Sequence, residues 1–131
     1  MAAASDTRSD TRPAVGALLE ALDDLGAAAD ANDERSAHIR SAIQHIREQL
    51  DAGESLSGIV AEERRPLIVE LVTESIDTLN EAGSALRRAE AAALRDEGLT
   101  IERIAGLFGV SRQRVSALLQ VSPRHRRKRT R

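Results

Sequence analysis

Aromatic side chains are almost absent from this chain of 131 residues, which has one Phe and neither Trp nor Tyr. Strands are enriched in aromatic and β-branched residues, so a chain with so few aromatics favours a core of packed helices. Apolar residues make up 41% of the sequence, a fraction typical of a soluble globular protein rather than a disordered one. The predicted fold class is therefore all-α, and the length corresponds to one domain or two small ones.

Several function classes are excluded by residue types and motifs that are missing. The chain has no Cys, so it has no disulfide, no thiolate zinc site and no Cys nucleophile. No phosphate-binding glycine loop, nucleophile elbow or His-Glu-x-x-His motif is present, and His38 and His45 are too far apart on a helix to share a metal. We therefore expect no enzyme activity, catalytic residue, cofactor or metal. With no bilayer-length apolar run and no signal peptide, we expect a cytoplasmic, nucleoid-associated protein without a membrane partner.

Charge is divided unevenly along the chain. Residues 1–98 carry ten Arg against twenty acids, a net charge of −10, whereas residues 99–131 carry nine basic residues against the single acid Glu102, a net charge of +8. A basic terminal module of this size usually meets a polyanion, most often nucleic acid. The acidic part is expected to contact protein, because it would repel DNA.

The acidic part has helical periodicity that is interrupted by a few Pro and Gly residues. Residues 1–12 are predicted to be a disordered leader, and residues 13–84 a helical dimerisation or interaction segment in the form of a bundle or coiled coil. Within it, one helix follows Pro13 and ends between Gly26 and Asn32, and a second ends at Gly53, which fits a left-handed cap. A long helix from Pro66 to Glu97 then joins this segment to the C-terminal part. The aliphatic stripes that we expect to mediate dimerisation are Ile39, Ile43, Ile46 and Leu50, and Ile68, Val72, Ile76 and Leu79.

Residues 99–120 have the signals of two short helices joined by a sharp turn. Thr100 and Ser111 are predicted N-caps, and Gly109 stands where a positive φ would end the first helix. The inward set of the first helix is Ile101, Ile104, Ala105 and Phe108, and that of the second is Val115, Leu118 and Leu119. Ala105 is expected where the two helices cross, since a larger side chain would have little room there.

This segment resembles a helix-turn-helix DNA-binding motif, through Ile104, Ala105, Gly109, Val110, Ser111, Val115 and Leu118. It is most similar to the C-terminal promoter-reading domain of bacterial sigma factors and to small actinobacterial transcriptional regulators. The resemblance covers residues 85–120, with residues 85–97 as the preceding helix, and it implies a trihelical DNA-binding domain. Residues 121–131 would then be a basic tail.

The outward face of the second short helix is polar and contains no acid, unlike an ordinary solvated face. Gln113 can make a bidentate contact with adenine and Arg112 with guanine, and Ala117 leaves room for a thymine methyl. The amide ends at Thr100 and Ser111 can hold backbone phosphates, and basic tail residues can lie along them. The predicted DNA-binding residues are Thr100, Ser111, Arg112, Gln113, Arg114, Ser116, Ala117, Gln120, Arg124, Arg126, Arg127, Lys128 and Arg129.

These observations predict a bacterial transcriptional regulator that binds specific double-stranded DNA in the major groove, as a homodimer that presents two reading heads. Two alternatives remain open. The acidic half could dock on a protein of the transcription machinery and leave DNA contact as an auxiliary activity. The chain could also organise DNA without sequence preference through its tail.

Overall fold

The computed structural model describes the backbone of residues 2–120 and the side chains of residues 13–120. Over this range the regular elements are all helices, which confirms the predicted fold class: α1 (Ala2–Asp51), α2 (Leu56–Glu62), α3 (Ile68–Asp96), α4 (Ile101–Phe108) and α5 (Arg112–Gln120). None of these helices is long and apolar enough to span a bilayer. No three His, Asp or Glu side chains in this range converge as metal ligands.

The chain divides into two compact units, and α1 and α3 contribute to both. The central unit runs from Leu25 to Glu81, and the terminal unit combines residues up to Asp24 with residues from Ala82 onward. The division within α3 lies close to the predicted domain boundary after residue 84. Residues up to Asp24 cluster with those from Ala82 onward, and the bounds of the predicted interaction segment, residues 13–84, stay a prediction.

α1 is one uninterrupted helix, and this corrects three predictions. The backbone of residues 2–12 is helical where a disordered leader was expected, Pro13 lies inside the helix and does not open it, and no break occurs near Gly26. The reason is visible in its burial pattern. Buried and half-buried positions recur with alternating spacings of four and three along the whole described length of the helix. A packed face of this length compensates the roughly 1 kcal/mol that an interior glycine costs.

The inward face of α1 carries smaller residues than the sequence pattern indicated. Ala21 is buried, and Ala14, Ala28 and Ala42 are half-buried, while larger aliphatic side chains on the neighbouring line of the helix are exposed. In the predicted stripe, Ile39 and Ile46 are half-buried, but two members are largely exposed, Ile43 at 44% and Leu50 at 47%. Ile43 and Leu50 thus lie one position away from the packed face, whose half-buried residues there are Ala42 and Gln49, and their role in dimerisation stays a prediction.

In the central unit, α1 and α3 are joined by a hydrogen bond from Arg35 Nη1 to Ser75 Oγ, 3.0 Å long. The first turn of α3 is capped by two carboxylates. Glu63 Oε2 accepts from the Ile68 amide at 3.2 Å, and Glu70 Oε1 accepts from the Leu67 amide at 3.3 Å. Carboxylates are stabilising at this positive end of a helix. The long helix predicted from Pro66 to Glu97 is thus confirmed within two residues at its start and one at its end.

The loop between α1 and α3 contains one confirmed signal and one unpredicted element. Gly53 has φ +84°, in agreement with the predicted left-handed cap after α1. The short helix α2 was not predicted. Ser55 caps it by accepting from the Gly58 amide at 3.2 Å, and Ile59 is buried at 4% exposure.

The core of the terminal unit is built by the last turns of α3 with α4 and α5. Ile104, Ala105 and Val115 form the buried cluster, and partly buried side chains from all three helices and their connections pack against it: Leu94, Leu99, Ile101, Phe108 and Leu119. Arg87 on α3 lies over the Phe108 ring, with Cζ 3.9 Å from the ring centroid. The predicted trihelical arrangement is confirmed, and it determines which face of α5 is left free.

Candidate nucleic-acid interface

The orientation of α4 is set by the connection that precedes it. Thr100 adopts extended backbone angles, and its Oγ1 accepts a hydrogen bond from the Arg103 amide at 3.1 Å. Leu99, just before the cap, packs against the buried cluster that contains Ile104. Arg95 Nη1 also donates to the Leu99 carbonyl oxygen at 2.8 Å. The predicted N-cap at Thr100 is therefore present, and the chain enters α4 in one defined direction.

The turn between α4 and α5 requires glycine. Gly109 has φ +69° and ψ +34°, in the left-handed region, and ends α4 as predicted. The Val110 amide donates to the Ala105 carbonyl oxygen at 3.1 Å, which closes the turn and satisfies a terminal carbonyl. The Ala105 side chain is itself 5% exposed within the cluster shared by α4 and α5. A left-handed glycine and a small buried alanine together let α5 begin after only a short turn.

α5 starts at a second side-chain cap and buries one face. Ser111 Oγ accepts from the Arg114 amide at 3.1 Å, as predicted. Val115 is fully buried and Leu118 is 7% exposed, while Leu119 packs against the cluster from its edge. All three were predicted to face inward. Their burial fixes the rotation of the helix about its axis, so the opposite face must point away from the core.

That opposite face consists of the residues predicted to contact DNA. Ser116 is half-buried, and the others are exposed: Arg112, Gln113, Arg114, Ala117 and Gln120. α5 contains no Asp or Glu. Five of these side chains line a depression of about 580 Å³ together with one residue of α4: Arg112, Gln113, Ser116, Ala117, Gln120 and Ile101. The result is an accessible, cationic surface rich in hydrogen-bonding groups.

The N-termini of α4 and α5 differ in how well they suit a phosphate. Each helix begins at a capping hydroxyl that accepts a hydrogen bond from the amide three residues later. The amides between the cap and that residue remain available to an anion. The first turn of α5 holds no acid, whereas that of α4 contains Glu102. A carboxylate there lowers the affinity for a second negative charge. Of the two predicted phosphate contacts, Ser111 is thus favoured by its surroundings over Thr100.

Sequence reasoning missed Ile101 as part of this surface. It was assigned to the core alone, but the structure places it both against the buried cluster and along the depression beside α5. Its position as the first residue of α4 is the signal that could have found it, since side chains at a helix end reach the edge of a core. The predicted tail contacts lie outside the described residues: Arg124, Arg126, Arg127, Lys128 and Arg129.

The predicted dimerisation residues of α3 separate into two groups. Ile68 and Leu79 are half-buried, while Val72 and Ile76 are exposed at 41% and 61%. Val69, which was not predicted, is exposed at 68%. It lies seven residues before Ile76, so heptad spacing could have identified it. Val69, Val72 and Ile76 therefore form an exposed stripe on the central unit, which we call the α3 stripe.

Comparison with known proteins agrees with this geometry. Residues 82–125 match the family model of the homeodomain-like domain, and the match begins at the residue where the terminal unit resumes in α3. It covers less than half of the chain and supports a DNA-binding helix-turn-helix domain at these residues. No curated protein and no solved structure matched the chain.

Proposed function

We propose that the chain is a sequence-specific transcriptional regulator that reads the major groove of duplex DNA with α5. The observation that carries the proposal is the exposed, acid-free face of α5, opposite the buried Val115 and Leu118. A helix that has only to remain soluble usually mixes acids with bases on such a face. The resemblance to promoter-reading domains of sigma factors and small regulators supports the same assignment.

The side chains of this face match the groups on base edges. Glutamine offers a donor and an acceptor and complements adenine, and arginine complements the two acceptors of guanine. Gln113 and Arg112 are therefore assigned to base contacts, and Ser116 and Gln120 to base edges or phosphates. Arg114, with the amides after Ser111, is assigned to the backbone, where contacts determine position but not sequence.

The test is selection of bound duplexes from a random library, followed by titration of the best sequence and a scrambled one at fixed salt. Gln113→Ala should weaken binding to the best site by about 1–3 kcal/mol and relax the preference at one base pair. Gln44→Ala, which removes an exposed glutamine from α1, is the matched control and should change neither quantity. If Gln113→Ala binds with unchanged affinity and unchanged preference, α5 is not the reading helix.

The alternative of a DNA-organising protein predicts a different selection result. Binding would then depend on phosphate contacts, which carry no sequence information. No sequence would be enriched from the library, and best and scrambled duplexes would bind alike at every salt concentration. The polar, accessible residues in the middle of α5 favour sequence-specific binding, since a purely electrostatic surface would need only basic side chains.

The proposal includes self-association, because one small module contacts few base pairs and paired modules read two half-sites. The α3 stripe is the surface that we assign to the second copy. Its three aliphatic side chains are 41–68% exposed and follow spacings of three and four, which suit helix pairing. The acids Glu70, Glu74 and Asp77 line the adjoining depression on α3. Their repulsion should weaken self-association at low salt, whereas DNA binding is weakened at high salt.

Light scattering at micromolar concentration tests this assignment. The expected mass is near twice 14.1 kDa, and Ile76→Glu should reduce it to the monomer with helicity kept. Val60→Glu is the matched control, since Val60 is 60% exposed and Ile76 61%. Leu19→Glu tests whether the exposed aliphatic side chains of α1 form the dimer interface instead. Loss of the dimer with Leu19→Glu but not with Ile76→Glu would move the interface away from α3.

A monomer in solution and on DNA would favour the alternative in which the acidic half docks on the transcription machinery. The same α3 stripe would then be available to a protein partner of that machinery. A pull-down with the full chain and with Ile76→Glu would distinguish specific capture through the stripe from non-specific adsorption. In either case the proposed location is the cytoplasm, in association with the nucleoid.

A further inference from the structure

The depression beside α5 is not uniformly polar. Four of its lining residues carry hydrogen-bonding side chains, but Ile101 and Ala117 contribute only hydrocarbon. Ile101 comes from α4 and Ala117 from α5, so each of the two helices contributes one apolar residue to the lining. Of the six lining residues, only Ile101 and Ser116 are half-buried and the other four are exposed. Such an open surface suits the edge of a base pair better than an enclosed small molecule.

Packing against the core holds Ile101 in place. The side chain packs against the buried cluster of the terminal unit, and Thr100 fixes the backbone just before it through its hydrogen bond to the Arg103 amide. Ile101 therefore presents a pre-positioned aliphatic surface and does not have to be ordered on binding. Ala117 has no side-chain rotamer freedom to lose. Binding through such residues therefore costs little conformational entropy.

The major groove offers one apolar group to such a surface, the 5-methyl group of thymine. The rest of the lining is consistent with an A·T pair, since Gln113 and Gln120 complement adenine. No acid lines the depression, and acids are the side chains that accept from the amino group of cytosine. We propose that Ile101 and Ala117 together form a seat for the thymine methyl, which makes Ile101 of α4 a specificity-determining residue. This inference rests on the proposed reading of the major groove by α5.

The experiment uses the best duplex selected from the random library and replaces each thymine by uracil, one at a time. Uracil pairs as thymine does and lacks only the methyl group. Burial of one methyl-sized group corresponds to about fourfold in affinity, so one position in each half-site should lose roughly that factor and the others should lose little. At that position, 5-methylcytosine should bind about fourfold more tightly than cytosine, because it restores the methyl group alone.

Protein variants identify the partners of that methyl group. Ala117→Ser places a hydroxyl in the seat, and Ile101→Val shortens the side chain while keeping its branched part for the core. Each should reduce the uracil penalty to less than about twofold. Ala92→Ser is the matched control, because Ala92 is an exposed helical alanine in the same unit, and its penalty should stay at about fourfold.

The outcomes separate this inference from the proposal on which it rests. A selected sequence whose affinity is unaffected by uracil at every position overturns the methyl seat and leaves specific reading by α5 intact. A uracil penalty that is unchanged in Ala117→Ser and in Ile101→Val also overturns the assignment, since the methyl group would then contact other residues. A library from which no sequence is enriched overturns both.

Discussion

Gly106 and Gly109, one inside α4 and the other at its C-terminal cap, differ in whether their backbone conformation favours glycine. Gly109 has φ +69°, whereas Gly106 lies inside the helix, and a Cβ would meet nothing within 4 Å at either position. A Cβ at either position would therefore clash with nothing in the fold, and the effect of a substitution depends only on the backbone conformation. A left-handed conformation costs an L-residue about 1–2 kcal/mol, while glycine in a helix interior costs up to about 1 kcal/mol relative to alanine.

We therefore predict shifts of opposite sign. Gly109→Ala should lower the free energy of unfolding by about 1–2 kcal/mol, and Gly106→Ala should raise it by up to about 1 kcal/mol. Urea denaturation followed by circular dichroism measures both, and Gly109→Asn should recover part of the decrease because asparagine tolerates this conformation better. Equal effects of the two alanine variants would show that Gly109 does not need its positive φ.

The contact between Arg87 and Phe108 involves the only Phe of a chain that has neither Trp nor Tyr. Arg87 Cζ lies 3.9 Å from the ring centroid, and its Nη1 lies 3.4 Å from Glu90 Oε1. A double-mutant cycle of Arg87→Ala and Phe108→Leu should give a coupling free energy of about 0.5–1 kcal/mol, the usual range for an exposed cation–π pair. Glu90→Gln tests the exposed ion pair separately and should cost less. A coupling of zero would leave Phe108 with a purely apolar role.

Among whole elements, the packing of α4 with α5 depends on the size of Ala105. Its side chain is 5% exposed, in contact with a cluster in which Ile104 and Val115 are both fully buried. Ala105→Leu adds three carbons where no space remains, and overpacking of this kind typically costs about 1–3 kcal/mol. Ala92→Leu on an exposed turn of α3 is the control and should be close to neutral. Equal melting temperatures for the two variants would contradict the close packing of Ala105 in the cluster shared by α4 and α5.

For the molecule as a whole, the prediction concerns the distribution of charge. Residues 124–131 contain six Lys and Arg residues and follow the described part of the chain. If these cations neutralise phosphates, truncation before residue 124 should make the slope of log affinity against log salt shallower, by about 0.9 for each phosphate no longer neutralised. The ranking of DNA sequences should stay the same. An unchanged slope would show that these cations do not touch DNA, and a changed ranking would mean that they read sequence as well.

The sequence by itself determined the helix-turn-helix, because its signals act within a few residues. Thr100, Gly109 and Ser111 each satisfy or release backbone groups of their own turn, and the structure contains all three features where they were predicted. The inward face of α5 was equally predictable, since aliphatic spacing of three and four on so short a helix admits one orientation. The face proposed to contact DNA is simply its opposite.

Only the tertiary structure decided the rest, because those features depend on what packs against a residue and not on its neighbours in sequence. A continuous packed face carries α1 past Gly26, although local signals predict a break there. Tertiary packing also selects small alanines over Ile43 for burial and leaves the α3 stripe exposed. It brings Ile101 to the outward face of α5. Burial is shared between distant segments, so no pattern within one segment could assign it.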